Sequence, residues 1–194
     1  MQLQSLQDVL THELQDLYDA EKQLLQALPK MAQAASNQEL RSAFEHHLTE
    51  TQDHVQRLDE IFGQFGISGS GETCEAMRGL IKEGEKTIAI EGDPTAKDAA
   101  LIAAAQRVEH YEIAAYRSAI ALAKALGHRE AAELLARNLA QEVDMERFLV
   151  ANAPAALRGA AAMDSDGSAG SGARKRGGTR KRSSRKRSSK RASA

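Results

Sequence analysis

The chain has 194 residues, 42% of them apolar and 4% aromatic, with no Trp, three Pro and one Cys, which suits one domain of packed helices. The single Cys74 excludes an internal disulfide and a four-thiolate metal site, no apolar run is long enough to cross a bilayer, and the opening MQLQSLQDVLTHEL lacks the unbroken apolar stretch of a signal peptide, so a cytoplasmic location is expected. The net charge of −1 conceals a division: residues 1–173 carry 15 Lys and Arg against 27 Asp and Glu, whereas residues 174–194 carry 11 basic residues and no acid.

A first helix is predicted from Ser5, whose S-L-Q-D run has the form of a capping box, to about Ala34, with a bend at Pro29. Ser36 with Glu39 predicts a second capping box and a helix ending near Gly66. Residues 67–93 form a longer connection, Gly/Ser-rich at first, then helical from about Cys74 to Glu91. Asp93 and Pro94 supply an N-cap and first-turn proline for a helix lasting to Leu126, and Gly127 stops it. A last helix follows at once and is expected to end near Asn152, before Pro154. Connections that run short, long, short predict a ferritin-like antiparallel four-helix bundle over residues 1–153, with a long crossover that contains a fifth helix. Residues 154–173 read as an Ala/Gly/Ser-rich linker and 174–194 as a basic tail, with disorder expected from 164 onward.

Polar residues interrupt each apolar stripe. The spacing 10, 14, 17, 21, 24, 28 puts Glu21 in a core slot of the first helix, and the spacing 40, 44, 47, 51, 54, 58 turns His47, Thr51 and His54 inward on the second, with Glu50 on the same flank. The third long helix turns in Glu109, Glu112 and Tyr116, and the fourth Glu142. Depth adds to direction. Glu21 and Glu50 lie about equally far from one tight turn, Glu112 and Glu142 equally far from the other, each roughly 22 Å away at ~1.5 Å of rise per residue. Glu21, Glu50, Glu109, Glu112 and Glu142 therefore fall in one central layer, with His54 a turn away. Several buried carboxylates require matching positive charge. Two divalent metal ions, iron or manganese, would supply it with oxygen and imidazole ligands. A buried ion-pair network using Arg57, Arg107 and Arg117, or rotation of the acids into an oligomer interface, is the alternative. His47, Tyr18 and Tyr116 stand close enough in sequence to orient the ligands.

Four segments, LYDAEKQLLQALPKMA, FEHHLTETQDHVQRL, CEAMRGLI and AALIAAAQRVEHYEIAAY, resemble the YciE/YciF ferritin-like stress proteins over roughly residues 3–150. That resemblance implies a ferritin-like bundle, a homodimer or higher homo-oligomer, and a di-metal centre. The ligand layout is more distantly similar to rubrerythrin; carried over, it puts Glu21, Glu50, Glu109, Glu112 and Glu142 at the carboxylate positions. It departs from that pattern at Asp53, one residue before His54, and at Met145, which replaces the second histidine. The centre is thus richer in carboxylate, and the chemistry expected of it is oxidation of Fe(II) or reduction of peroxide or dioxygen. A non-catalytic scaffold with structural or no metal is the competing expectation.

The tail residues Arg174, Lys175, Arg176, Arg180, Lys181, Arg182, Arg185, Lys186, Arg187, Lys190 and Arg191, interspersed with Ser and Gly, suit neutralisation of DNA phosphates without base reading, which would associate the protein with the nucleoid. Folding back onto the acidic body is the alternative.

Overall fold

The structure, a computed structural model, describes the backbone of residues 4–171 and the side chains of residues 4–162. Helix α1 (Leu6–Ala34) starts as expected: the Oγ of Ser5 accepts the Asp8 N–H at 3.1 Å, satisfying one of the donors that a helix start leaves open. It buries Leu10, Leu14, Leu17, Leu24 and Leu28 and continues through Pro29.

The start of α2 (Gln38–Phe65) corrects one expectation. Asn37, not Ser36, is the N-cap, its Oδ1 accepting the Leu40 N–H at 2.9 Å. Ser36 is engaged by a residue distant in sequence: buried Asp98 accepts the Ser36 and Asn37 N–H groups, each at 2.8 Å, and the Ser36 hydroxyl. The α1–α2 turn is thereby bound to the second turn of the fourth helix. Gly66, at φ 64°, closes α2 in the left-handed region where glycine carries no steric penalty.

Helix α3 (Glu75–Ala89) lies in the crossover and packs on α1 and on α4 (Pro94–Ala125). Cys74 caps α3 through Sγ and lies 2.9 Å from the Tyr111 hydroxyl, which donates to Asp16. Asp93 caps α4 by accepting the Thr95 and Ala96 N–H groups at 2.9 Å, with Pro94 in the first turn.

Helix α5 (Arg129–Ser171) corrects the predicted end near Asn152, the linker predicted from 154, and disorder predicted from 164 as far as 171. Pro154 lies inside it. The proline removes one ladder hydrogen bond, but the surrounding Ala residues favour helix and tertiary packing adds to them. Ala153 and Ala156 pack against the core. Gly159 approaches α4 so closely that an added Cβ would lie 2.6 Å from Thr95 Cγ2. Residues 172–194, with every basic residue of the tail, lie outside the described residues.

The four long helices form a ring in which α1 contacts α2 and α4, and α5 contacts α2 and α4. The end of α1 meets the start of α4 through Ser36 and Asp98. At the opposite end, His128 before α5 reaches Gln7 at 2.8 Å and lies tilted against Phe65 at 4.6 Å between ring centroids. All neighbouring long helices are therefore antiparallel, as in a ferritin-like bundle. The apolar core is two blocks, one around Leu24, Leu28, Phe44, Leu101 and Leu149, the other around Leu10, Leu14, Leu58, Ile61 and Leu135. Between them lies a polar layer. Among the described residues, no helix is long and apolar enough to cross a membrane.

Candidate metal centre

The layer is assembled from all four long helices. Glu21 comes from α1, His47, Thr51 and His54 from α2, Glu109, Glu112 and Tyr116 from α4, and Asn138 and Glu142 from α5, all buried. One group, His47, Glu109, Glu112 and Glu142, brings one ligand atom from each residue within 4.8 Å of the others; a second, Glu21, His54 and Glu142, does the same. Glu142 is common to both. His47 Nε2 faces Glu109 at 3.6 Å and Glu142 at 3.4 Å, and His54 Nδ1 faces Glu21 at 3.1 Å and Glu142 at 2.9 Å.

Of the six residues expected to bind metal, Glu21, His54, Glu109, Glu112 and Glu142 stand in these groups. Glu50 does not: it is partly exposed at the α2–α5 seam, where its Oε2 lies 3.2 Å from His47 Nδ1. His47, expected in a supporting role, takes the inward place. Tyr116 donates to Glu21 and accepts from Asn138 Nδ2 at 3.0 Å. Tyr18 stands apart, edge-on to Phe62 at 5.3 Å between centroids and under the Lys22 ammonium.

Sequence reasoning overlooked Gln141 and Asn138. The Gln141 side chain accepts from Arg57 Nη1 at 2.8 Å, faces His54 Nε2 at 3.1 Å through the same oxygen, and donates to Glu50 at 3.1 Å; Asn138 accepts from Arg57 at 2.8 Å.

The alternative of an internal ion-pair network lacks its cations. Arg57 goes to Asn138, Gln141 and Asp53, and Arg107 and Arg117 are exposed. Among the described residues no Lys or Arg pairs with Glu21, Glu109, Glu112 or Glu142, so two imidazoles face four carboxylates. The electrostatics follow. Burial first, and repulsion from Glu142 and Glu21 after it, push Glu109 and Glu112 well above the usual carboxylate range, although His47 pulls Glu109 the other way. Burial opposes charging of the imidazoles, yet Glu109 and Glu142 lift His47 well above its ordinary value, and Glu21 and Glu142 lift His54 to about 10. Burial also disfavours the Glu142 carboxylate, but His47 and His54 outweigh it and hold Glu142 low.

Even so, Glu21 Oε2, His47 Nε2, Glu109 Oε2 and both oxygens of Glu112 and of Glu142 are buried without a hydrogen-bond partner. Such atoms are rare in native proteins, and here they converge on one layer. The donor set of carboxylate oxygens and imidazole nitrogens fits iron or manganese, and the absence of thiolate disfavours softer ions.

Residues 5–162 match the family described as Domain of unknown function (DUF892). The protein YciF of Escherichia coli K12 is 45% identical over 143 residues, covering 73% of this chain and 86% of its own. The crystal structure of the E. coli stress protein YciF superposes with a TM-score of 0.77 at 42% identity, covering 80% of this chain and 98% of that one. YcfI of Rhodopseudomonas palustris, described as a proposed structural protein, gives 0.74 at 44% identity over 76% of this chain and 94% of its own. A Xanthomonas campestris protein at 22% identity shares the fold, with a TM-score of 0.69.

Proposed function

The chain belongs to the DUF892 family, and from that premise we propose that it is a YciF-like stress protein that holds two divalent ions, iron or manganese, in its carboxylate–histidine layer and uses them to oxidise Fe(II) or to reduce peroxide or dioxygen. The supporting observation is the convergence of buried, unpartnered oxygen and nitrogen atoms from four helices on one layer. Left unmatched, each costs on the order of a few kcal/mol.

In this reading His47, Glu109, Glu112 and Glu142 hold one ion, and Glu21, His54 and Glu142 the other. When bound, the pair would supply redox chemistry in which each ion contributes one electron. The chain's own residues prepare the place. Glu50 accepts the His47 Nδ1–H, which turns Nε2 inward, and the Gln141 oxygen accepts the His54 Nε2–H, which turns Nδ1 inward. Tyr116 fixes one Glu21 oxygen by donating to it, so the other faces the layer free. The protons on His47 Nε2 and His54 Nδ1 must leave before those nitrogens bind an ion, so loading releases protons. A cavity of about 10 Å³ beside His47 and Glu109, roughly one water in size, gives the layer some room.

The experiment is peroxide consumption. Fe(II)-loaded protein should remove hydrogen peroxide faster than the same Fe(II) free in buffer, and the double variant Glu109→Gln, Glu112→Gln should lose the difference. Equal rates with and without protein would favour a second reading, a homodimeric scaffold with structural metal, which the description of YcfI as a proposed structural protein supports.

The charge division supports a further role for the tail, sequence-independent contact with DNA by the 11 basic residues from Arg174 to Arg191, which would place the protein at the nucleoid. Log affinity should then fall against log salt with a slope no steeper than about −10, and removal of residues 174–194 should abolish binding. Binding that survives the deletion, or a full chain that does not bind at low salt, rejects the role.

A further inference from the structure

Two polar chains link the α2–α5 seam to the centre, and they differ in charge. In the first, His46, with its side chain 75% exposed, places Nε2 3.4 Å from Glu50 Oε1. Glu50, 17% exposed, places Oε2 3.2 Å from His47 Nδ1, and His47, 1% exposed, turns its unpartnered Nε2 toward Glu109 and Glu142. In the second, the Arg57 guanidinium covers the Gln141 oxygen, which lies over His54 Nε2. A cation approaching by the second chain meets a fixed positive charge. By the first it meets an imidazole, then a carboxylate, then a second imidazole at the edge of the centre.

Glu50 is also suited to transfer. It belongs to neither group of inward ligands, yet it touches the outer and the inner histidine at once, and its remaining partner is a neutral amide, Gln141 Nε2 at 3.1 Å. Moving it breaks no buried ion pair with Lys or Arg. A glutamate has three rotatable side-chain bonds, and this one emerges from the same helix face as both imidazoles, since positions 46, 47 and 50 are neighbours at helical spacing.

We infer that His46 and Glu50 form an outer acceptor for divalent cations, which passes them to the buried centre past His47. The ion first exchanges some of its waters for the His46 imidazole and the Glu50 carboxylate. Glu50 then swings inward with it, hands it to Nε2 of His47 and the oxygens of Glu109 and Glu142, and returns to accept the His47 Nδ1–H. Arg57 keeps the neighbouring chain shut to cations, so the seam has one cation route. The inference rests on the metal-binding reading above.

Uptake of Co(II) by metal-free full-length protein tests it, followed by stopped-flow through the visible d–d absorption, with final metal content measured on the same samples. His46→Ala should load about tenfold more slowly, the low end of what a focusing charge arrangement gives, and reach the parent's final content. His46→Asp, which restores a ligand at the same place, should recover most of the rate. Glu50→Gln should be slowed at least as far as His46→Ala. If His46→Ala or Glu50→Gln loads within twofold of the parent, the outer acceptor is overturned while the buried centre stands. If the parent takes up no cobalt, the centre and its acceptor both fall.

Discussion

Replacing Glu142 by Gln should strip both ions from the protein, with apparent affinity falling by more than about 100-fold, because Glu142 is the one residue common to both ligand groups and even residues behind the ligands are worth about 10–100-fold. Glu112→Gln should behave differently. Glu112 belongs to one group, so one ion should be lost and one kept. The metal-free Glu112→Gln protein should also melt higher than the metal-free parent, by a few degrees, because burial raises the cost of ionising Glu112 and no basic residue offsets it. Metal analysis of the purified variants and thermal melts with and without Mn(II) check both points. A Glu142→Gln protein that still carries two ions would refute the shared-ligand arrangement. A Glu112→Gln protein less stable than the parent with and without metal would mean that the residue only packs.

The second large effect concerns the turn between α1 and α2. Asp98→Ala should cost about 3–4 kcal/mol of stability, because a carboxylate 3% exposed accepts two backbone N–H groups and a hydroxyl from Ser36 and Asn37, and hydrogen bonds to a charged acceptor are worth about 1.5–3 kcal/mol each without adding fully. For a chain of this size the melting temperature should fall by roughly 10 °C. Chemical denaturation monitored by circular dichroism measures it. A loss under about 1 kcal/mol would show that water replaces the carboxylate without penalty. Asp98→Asn, which keeps an acceptor, should lose less than Asp98→Ala.

The residues of the central layer were legible in the sequence because a 3.6-residue period determines which way a side chain points before any partner is known. Glu21, His47, Thr51, His54, Glu109, Glu112 and Glu142 all fall on inward positions and all are buried. Glu50 was expected among the ligands because it is a carboxylate at the right height. Height does not set direction, and the same period that turns His47, Thr51 and His54 inward leaves Glu50 on the flank. Two other features depend on residues far apart in the chain, which no local pattern displays. Ser36 is the natural N-cap by type, but Asp98, 62 positions away, claims it and Asn37 caps instead. Pro154 marks a helix end by type, but α5 gains contacts beyond it from Ala153, Ala156 and Gly159. Gln141 looks like an ordinary flank residue until α2 and α5 are side by side and it meets Arg57, His54 and Glu50.

The two apolar blocks, taken alone, would tolerate an alignment error. Slide α5 by one turn, about 5.4 Å, and leucines and alanines still meet leucines and alanines, since side chains of this kind pack interchangeably at modest cost. The layer between the blocks does not permit this. The same slide would push Glu142 off the two imidazoles and into one of the apolar blocks, where a lone carboxylate has no partner at all. His47 and His54 would then lose the carboxylate they share. The acids and histidines thus act as a registration mark, which rejects shifted and swapped pairings while the bundle is still assembling and before any ion arrives, much as a single buried polar residue fixes the alignment of a coiled coil.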